Sequence, residues 1–158
     1  MIHAALTQYR FLEAYAERLL AGLNPADAHA PAHPGGHHPA WILGHLTFSG
    51  LGAVRLLGGD APGFEDAQAR FGIGTTPGAG GDFDAILAGW RETHRCVGEA
   101  IDAGVPEQRL AAPNPIEAFA DAFATVGDQA AFLLTGHEAV HLGQLSAWRR
   151  ARGGAPLF

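Results

Sequence analysis

The sequence is poor in several features that would each assign it to a class of proteins. Its 158 residues include one cysteine, Cys96, so no disulfide can form within the chain, and we expect a reducing, cytoplasmic setting. No apolar run approaches the roughly 20 residues that span a bilayer, and the first residues lack the layout of a secretory signal. Basic residues are scarce, with 10 Lys and Arg against 16 Asp and Glu, which argues against nucleic acid as a partner. These absences leave a small molecule as the expected partner.

Segments that alternate apolar and polar residues, as β-strands do, are nearly absent as well. Apolar residues instead recur at three- and four-residue steps, which is the pattern of amphipathic helices. The connection from Gly58 to Gly81 is rich in glycine and proline and is expected to be mobile, and a short helix is expected from Asn114. The sequence predicts one all-α domain over residues 1–158, a four-helix bundle with long crossover connections and a short extra helix before the last helix. The four long helical patterns cover roughly Ile2–Leu23, His38–Gly58, Phe83–Gly104 and Thr125–Arg152.

Residues typical of helix starts support these boundaries. Pro39 suits the first helical position, where the N–H that proline lacks has no partner in any case. Asp82 and Thr125 suit the N-cap position, because their side-chain oxygens accept from free backbone N–H groups. Asn114, with Glu117 three residues later, has the layout of a capping box.

Nine histidines are scattered through the chain, so they are not a purification tag. His137 and His141 are four residues apart, which places both imidazoles on one face of a helix, on the stripe that otherwise faces the core. Burying both rings is unfavourable unless their polar nitrogens find partners, and a bound metal would satisfy both. The alternative is two core histidines that are hydrogen-bonded separately.

A third ligand has to come from elsewhere in the chain. None of the 17 residues after His141 is His, Asp, Glu or Cys. His45 is the best candidate because it lies in the middle of the second helix in an apolar setting. Alone it would be interpreted as an ordinary core histidine, but with His137 and His141 it completes a facial triad with open positions for water or substrate.

Several other residues are candidates for contacts with the ligands or the substrate. His94 lies on the inward stripe of the third helix. Its role is that of a fourth ligand, of a hydrogen-bond donor behind the ligands, or of a core residue, and we favour the last two. His38, with its neighbour His37, begins the second helix, where a capping or exposed role is favoured over one at the mouth of the site. Gln144 can hydrogen-bond a ligand or bound water, or be an ordinary polar residue, and Trp41 is a further candidate.

The segment from His137 to His141 also matches the H-E-x-x-H helix of zinc proteases, in which Glu138 would be the general base. Proteases of this kind usually take their third ligand downstream, and this chain offers none there. Glu138 also lies about 100° round the helix from His137. Its side chain is therefore expected to point toward a neighbouring helix or solvent, or to lie at the rim of the site. The protease is therefore the least favoured hypothesis.

Two segments resemble the DinB-like (DinB/YfiT) superfamily. Residues 34–46, PGGHHPAWILGHL, are similar to its second-helix motif, and residues 137–145, HEAVHLGQL, to its last-helix motif. The resemblance implies a four-helix bundle, often dimeric, with His45, His137 and His141 holding zinc, nickel, iron, manganese or a similar ion. The superfamily includes transferases and isomerases that depend on low-molecular-weight thiols, and proposed metal-dependent hydrolases. The resemblance therefore implies an activity of one of these kinds. Glu138 and the Gly58–Gly81 connection depart from the family pattern.

The leading hypothesis from the sequence is a metal-dependent enzyme, either a hydrolase or a transferase that uses a low-molecular-weight thiol. The metal would lower the pKa of a bound water or thiol, or polarise a substrate oxygen. Glu138 or Gln144 would assist. The alternative is a non-catalytic, metal-stabilised binding or stress-response module.

Overall fold

The computed structural model describes residues 2–78 and 81–157, and the regular elements of these residues are all helical. Within them, no helix is both long enough and apolar enough to cross a membrane. Two 3-10 helices, Pro25–Asp27 and Glu117–Phe119, lie in the connections. The prediction of an all-α fold is confirmed. The helices are α1 (Ile2–Leu20), α2 (Pro39–Leu56), α3 (Phe64–Phe71), α4 (Phe83–Asp102), α5 (Glu107–Leu110), α6 (Val126–Phe132) and α7 (Glu138–Ala151), with a π-helical turn, Leu133–His137, joining α6 to α7.

The four long helical segments pack against one another in a ring. Helix α1 contacts α4 and α7, and α2 contacts the same two helices from the other side. Two apolar clusters fill the interior, one around Ile42, Trp90 and Leu142 and the other around Val97 and Leu134. Burial of such side chains contributes about 1.5–3 kcal/mol each, so the packing of apolar stripes determines the arrangement of the helices.

The predicted starts of three long helices are confirmed by their caps. The Trp41 backbone N–H donates to the His38 side chain, one residue before Pro39. The side chain of Asp82 caps α4 in the same way. Thr125 exchanges hydrogen bonds with Asp128 in a capping box that begins α6.

The connection expected to run from Gly58 to Gly81 without regular structure contains helix α3. Its apolar residues follow helical spacing, and Ala67 is buried against α2, which α3 contacts. Glu65 in its first turn and Arg70 in its last also stabilise the helix, because their charges interact favourably with the helix dipole. The expectation was wrong for residues 64–71 because flanking glycines and prolines outweighed this short amphipathic pattern. Ala79 and Gly80, near the end of the connection, lie outside the described residues, as do Met1 and Phe158.

The helix predicted to begin at Asn114 is reduced to the single 3-10 turn Glu117–Phe119. The Asn114 side chain accepts from the Ile116 N–H, but it also donates to the Phe123 carbonyl and the Gln129 side chain. The asparagine therefore holds the connection against α6 instead of starting a helix. Helix α5, a single turn earlier in the same connection, was not predicted.

Candidate metal centre

Three histidines from two distant parts of the chain converge between α2 and the last helical segment. His45, His137 and His141 each offer one ring nitrogen, and the three nitrogens lie within 4.8 Å of one another. The Nε2 atoms of His45 and His137 are 3.3 Å apart. His45 and His141 are buried, and His137 is half-buried, so the cluster borders solvent through His137.

The spacing of two of these nitrogens fits a shared divalent ion. Imidazole nitrogens bind zinc at about 2.0–2.1 Å, and two of them on a tetrahedral ion are therefore about 3.3 Å apart. The separation of His45 and His137 agrees with this value. Three protein nitrogens would leave at least one coordination position open, which is the arrangement of catalytic rather than structural zinc sites.

Two of the rings are held by partners on the nitrogen that faces away from the cluster. The Nδ1–H of His45 donates to the Phe71 carbonyl at 2.6 Å, and that of His141 donates to Gln144 Oε1 at 3.1 Å. Both bonds require the tautomer whose Nε2 carries a lone pair, which is the form that binds metal. The Nδ1 of His137 is buried without a hydrogen-bond partner, so packing alone orients this ring.

A glycine in α2 makes the contact between Phe71 and His45 possible. A Cβ atom placed at Gly44 would lie 2.5 Å from the Phe71 ring, closer than packed atoms approach. Glycine at this position lets the end of α3 settle on α2 and brings the Phe71 carbonyl to the imidazole of the next residue. This carbonyl could not be predicted from the sequence, because a backbone group leaves no residue pattern.

Burial keeps the three candidate ligands neutral. It lowers the pKa of His137 to about 3 and that of His141 to about 4, and the neighbouring imidazoles lower both further because like charges would repel. Burial also lowers the pKa of His45, against the opposing hydrogen bond to Phe71. Near pH 7 the rings are therefore unprotonated and free to bind a cation.

Trp41, His37 and Gln144 form the next layer on one side of the cluster. The Trp41 ring stacks on His45 with centroids 4.8 Å apart and on His37 at 3.9 Å. Gln144 Oε1 accepts from His37 Nδ1 at 3.3 Å as well as from His141. The structure thus places Trp41 and Gln144 beside the cluster, as candidates for the roles that the sequence suggested. His38 instead caps α2 through its Nδ1.

Glu138 faces away from the cluster and toward α4. Its side chain is 2% exposed, and its Oε1 lies 3.2 Å from Nε2 of His94, whose side chain is 1% exposed. Burial raises the pKa of the Glu138 carboxyl, and the contact with His94 opposes the rise. The Tyr9 ring stacks on His94 at 3.8 Å, and Trp90 Nε1 lies near the carboxyl without a hydrogen bond of good geometry.

This placement differs from the rim or solvent position expected for Glu138. A general base of the zinc-protease kind needs its carboxylate beside the metal-bound water, whereas this carboxylate pairs with a histidine in the core. The 100° step between adjacent helical residues turns Glu138 toward α4 when His137 faces α2. The structure therefore gives the H-E-x-x-H interpretation no support and places His94 in the core with Glu138.

The π-helical turn ends at the first histidine of the pair. It covers Leu133–His137 and interrupts an otherwise continuous helix between α6 and α7. Turns of this kind add one residue to a helix and occur often at functional sites. It was not predicted from the sequence, where the segment was interpreted as part of one continuous helix.

The hydrogen bond from His141 to Gln144 yields a first prediction. Replacing Gln144 with leucine removes the acceptor that fixes the tautomer of His141, and we expect metal affinity to fall about 10- to 100-fold. Gln144→Glu keeps an acceptor at the same reach and should preserve or raise the affinity. Competition with a chromophoric chelator measures both variants, and equal losses in the two would contradict a role as acceptor.

A comparison with protein-family models gives a match over most of the chain. The model of the DinB superfamily matches residues 8–145, which include all three histidines. No curated protein and no solved structure matches the chain. The match covers most of the sequence, and the fold is all-helical, as the two motifs of α2 and α7 imply. The chain belongs to the DinB superfamily.

Proposed function

We propose that the protein is a metal-dependent enzyme, either a hydrolase or a transferase that uses a low-molecular-weight thiol. One divalent ion, zinc, nickel, iron or manganese, would be held by His45, His137 and His141. The observation that carries the proposal is the convergence of three neutral ring nitrogens within 4.8 Å, two of them oriented from behind by hydrogen bonds. Hydrogen bonds of this kind are typical of metal-ligating histidines, and here they leave the Nε2 atoms of His45 and His141 free to face the same point.

Each residue around the ion would have a separate role. The bound ion would lower the pKa of a water or thiol and so supply a nucleophile near neutral pH. Phe71 and Gln144 hold two imidazoles in place, and the Trp41 ring shields the His45 side of the site from water. Gln144 is also the candidate for a hydrogen bond to a bound water or thiol, because the Glu138 carboxyl pairs with His94 in the core.

The amount of metal in the untagged protein tests this proposal. We expect about one equivalent of a divalent transition metal per chain, either after purification or after reconstitution. We also propose that the protein is a homodimer. Light scattering on the same sample should then give twice the mass of the 16.5 kDa chain. Less than a tenth of an equivalent after reconstitution would refute the metal site.

Chelation then distinguishes an enzyme from a metal-stabilised module. The apolar clusters that hold the four long helices together do not include the three histidines, so we expect the helical circular dichroism to survive removal of the metal. Azide or a small thiol should bind the reloaded protein at the open position. Unfolding on chelation, without binding of either ligand, would instead indicate a structural metal.

A further inference from the structure

Aromatic rings surround the three histidines. The Trp41 ring stacks on His45, and the Phe48 ring contacts the same imidazole with centroids 5.9 Å apart. Phe132 meets His137 edge-on at 5.9 Å. We call Trp41, Phe48 and Phe132 the aromatic collar. Phe48 and Phe132 are half-buried, so the collar borders solvent, where a ligand would enter.

The cluster of three histidines includes no acidic ligand in the part of the chain that the structure describes. Among residues 2–78 and 81–157, no Asp, Glu or Cys joins the cluster of three nitrogens. The hydrogen-bonding contacts of the three rings are with one another, with the Phe71 carbonyl and with Gln144 Oε1. A divalent ion held by neutral imidazoles keeps its full charge of two. Since aromatic surroundings solvate charge poorly, a further ligand that is anionic would be strongly favoured.

Two arginines, one in α2 and one in α3, are paired with carboxylates. The Arg55 guanidinium lies 4.3 Å above the Phe64 ring, which packs on the collar, and bonds Glu65 at 2.8 Å. Arg70, at the end of α3, pairs with Asp66 at 3.3 Å. A ligand with a second negative group would find these guanidinium groups engaged by carboxylates.

We propose that the site takes a small molecule that carries a single anionic group on an apolar, aromatic body. The anionic atom, of a carboxylate or a thiolate, occupies the open position on the metal, and the body packs against Phe48 and Phe132. This inference rests on the proposed metal site and narrows its substrates. It disfavours polyanionic molecules such as phosphorylated metabolites, because the bound ion would neutralise one anionic group and the collar itself is apolar.

Ligand binding to the cobalt-loaded protein tests the inference without measuring any reaction. The probes are acetate, phenylacetate and 4-carboxyphenylacetate, which adds a second carboxylate at the far end of the ring. The visible spectrum of the cobalt reports occupancy of the open position. We expect phenylacetate to bind about tenfold more tightly than acetate, from burial of its ring, and more tightly than the dianion.

Substitutions in the collar assign that preference to its rings. Phe48→Ala and Phe132→Leu should lower the preference for phenylacetate over acetate to about threefold or less while acetate binds as before. Phe11→Ala removes an exposed phenylalanine from α1 and is the matched control. Failure to bind cobalt would refute the metal site itself. Cobalt binding with no preference for phenylacetate, with equal binding of the dianion, or with a preference that the collar variants retain would overturn the inference alone.

Discussion

Replacing any one of the three histidines with alanine should lower metal affinity by roughly 10²- to 10⁴-fold. Structural zinc sites bind their metal with about 10–16 kcal/mol, and each of three ligands carries a large share of that energy. The largest loss is expected for His45→Ala, because it removes the one ligand that α2 supplies to the ion and also frees the Phe71 carbonyl. Competition with a chromophoric chelator at fixed pH measures the loss.

The matched control is His3→Ala, which removes an exposed imidazole from the start of α1. It should retain full metal content and affinity. Unfolding midpoints of the metal-free variants show whether a loss of affinity is only a loss of fold. If the His137→Ala variant kept the affinity of the parent, the convergence of the three rings would have to be interpreted as core packing.

The sequence was sufficient to predict the helices and the three histidines, because both leave regular patterns. A pair of histidines four residues apart survives in the sequence as a spacing, and the apolar residues around His45 indicate burial directly. The long amphipathic helices repeat their pattern over five or more turns, so the signal accumulates. The pairing of His45 with the last helix depended on the absence of any other candidate after His141 and on the family motifs.

Contacts made by backbone groups and by short segments could not be predicted in this way. The Phe71 carbonyl reaches His45 because Gly44 lets α3 approach α2, a relation between three residues in two elements. Helix α3 has eight residues, and a pattern this short is easily outweighed by the glycines beside it. The direction of Glu138 depended on which side of α7 faces α2, and periodicity alone did not settle a difference of 100°.

The buried and half-buried imidazoles of the cluster should also make the metal-free protein sensitive to acid. Unfolded histidines have a pKa near 6.5, whereas burial lowers the pKa of His137 to about 3 and that of His141 to about 4 in the folded state. Below pH 6.5 these histidines therefore bind protons in the unfolded chain but remain unprotonated in the folded chain. By linkage, stability is complete above the unfolded pKa and is lost as pH falls from 6.5 toward the folded values.

Between pH 7 and pH 5, we expect the metal-free protein to lose about 2 kcal/mol of its free energy of unfolding, allowing for the partial exposure of His137. Most carboxylates do not titrate in that range, so the histidines dominate it. Urea unfolding in the presence of a chelator measures the loss. The His137→Asn/His141→Asn double variant should lose much less over the same range, because the titrating groups are gone, while His3→Asn should behave as the parent. A parent protein whose stability is flat over this range would contradict the burial of neutral imidazoles, and with it the readiness of the site to accept a metal without prior loss of protons.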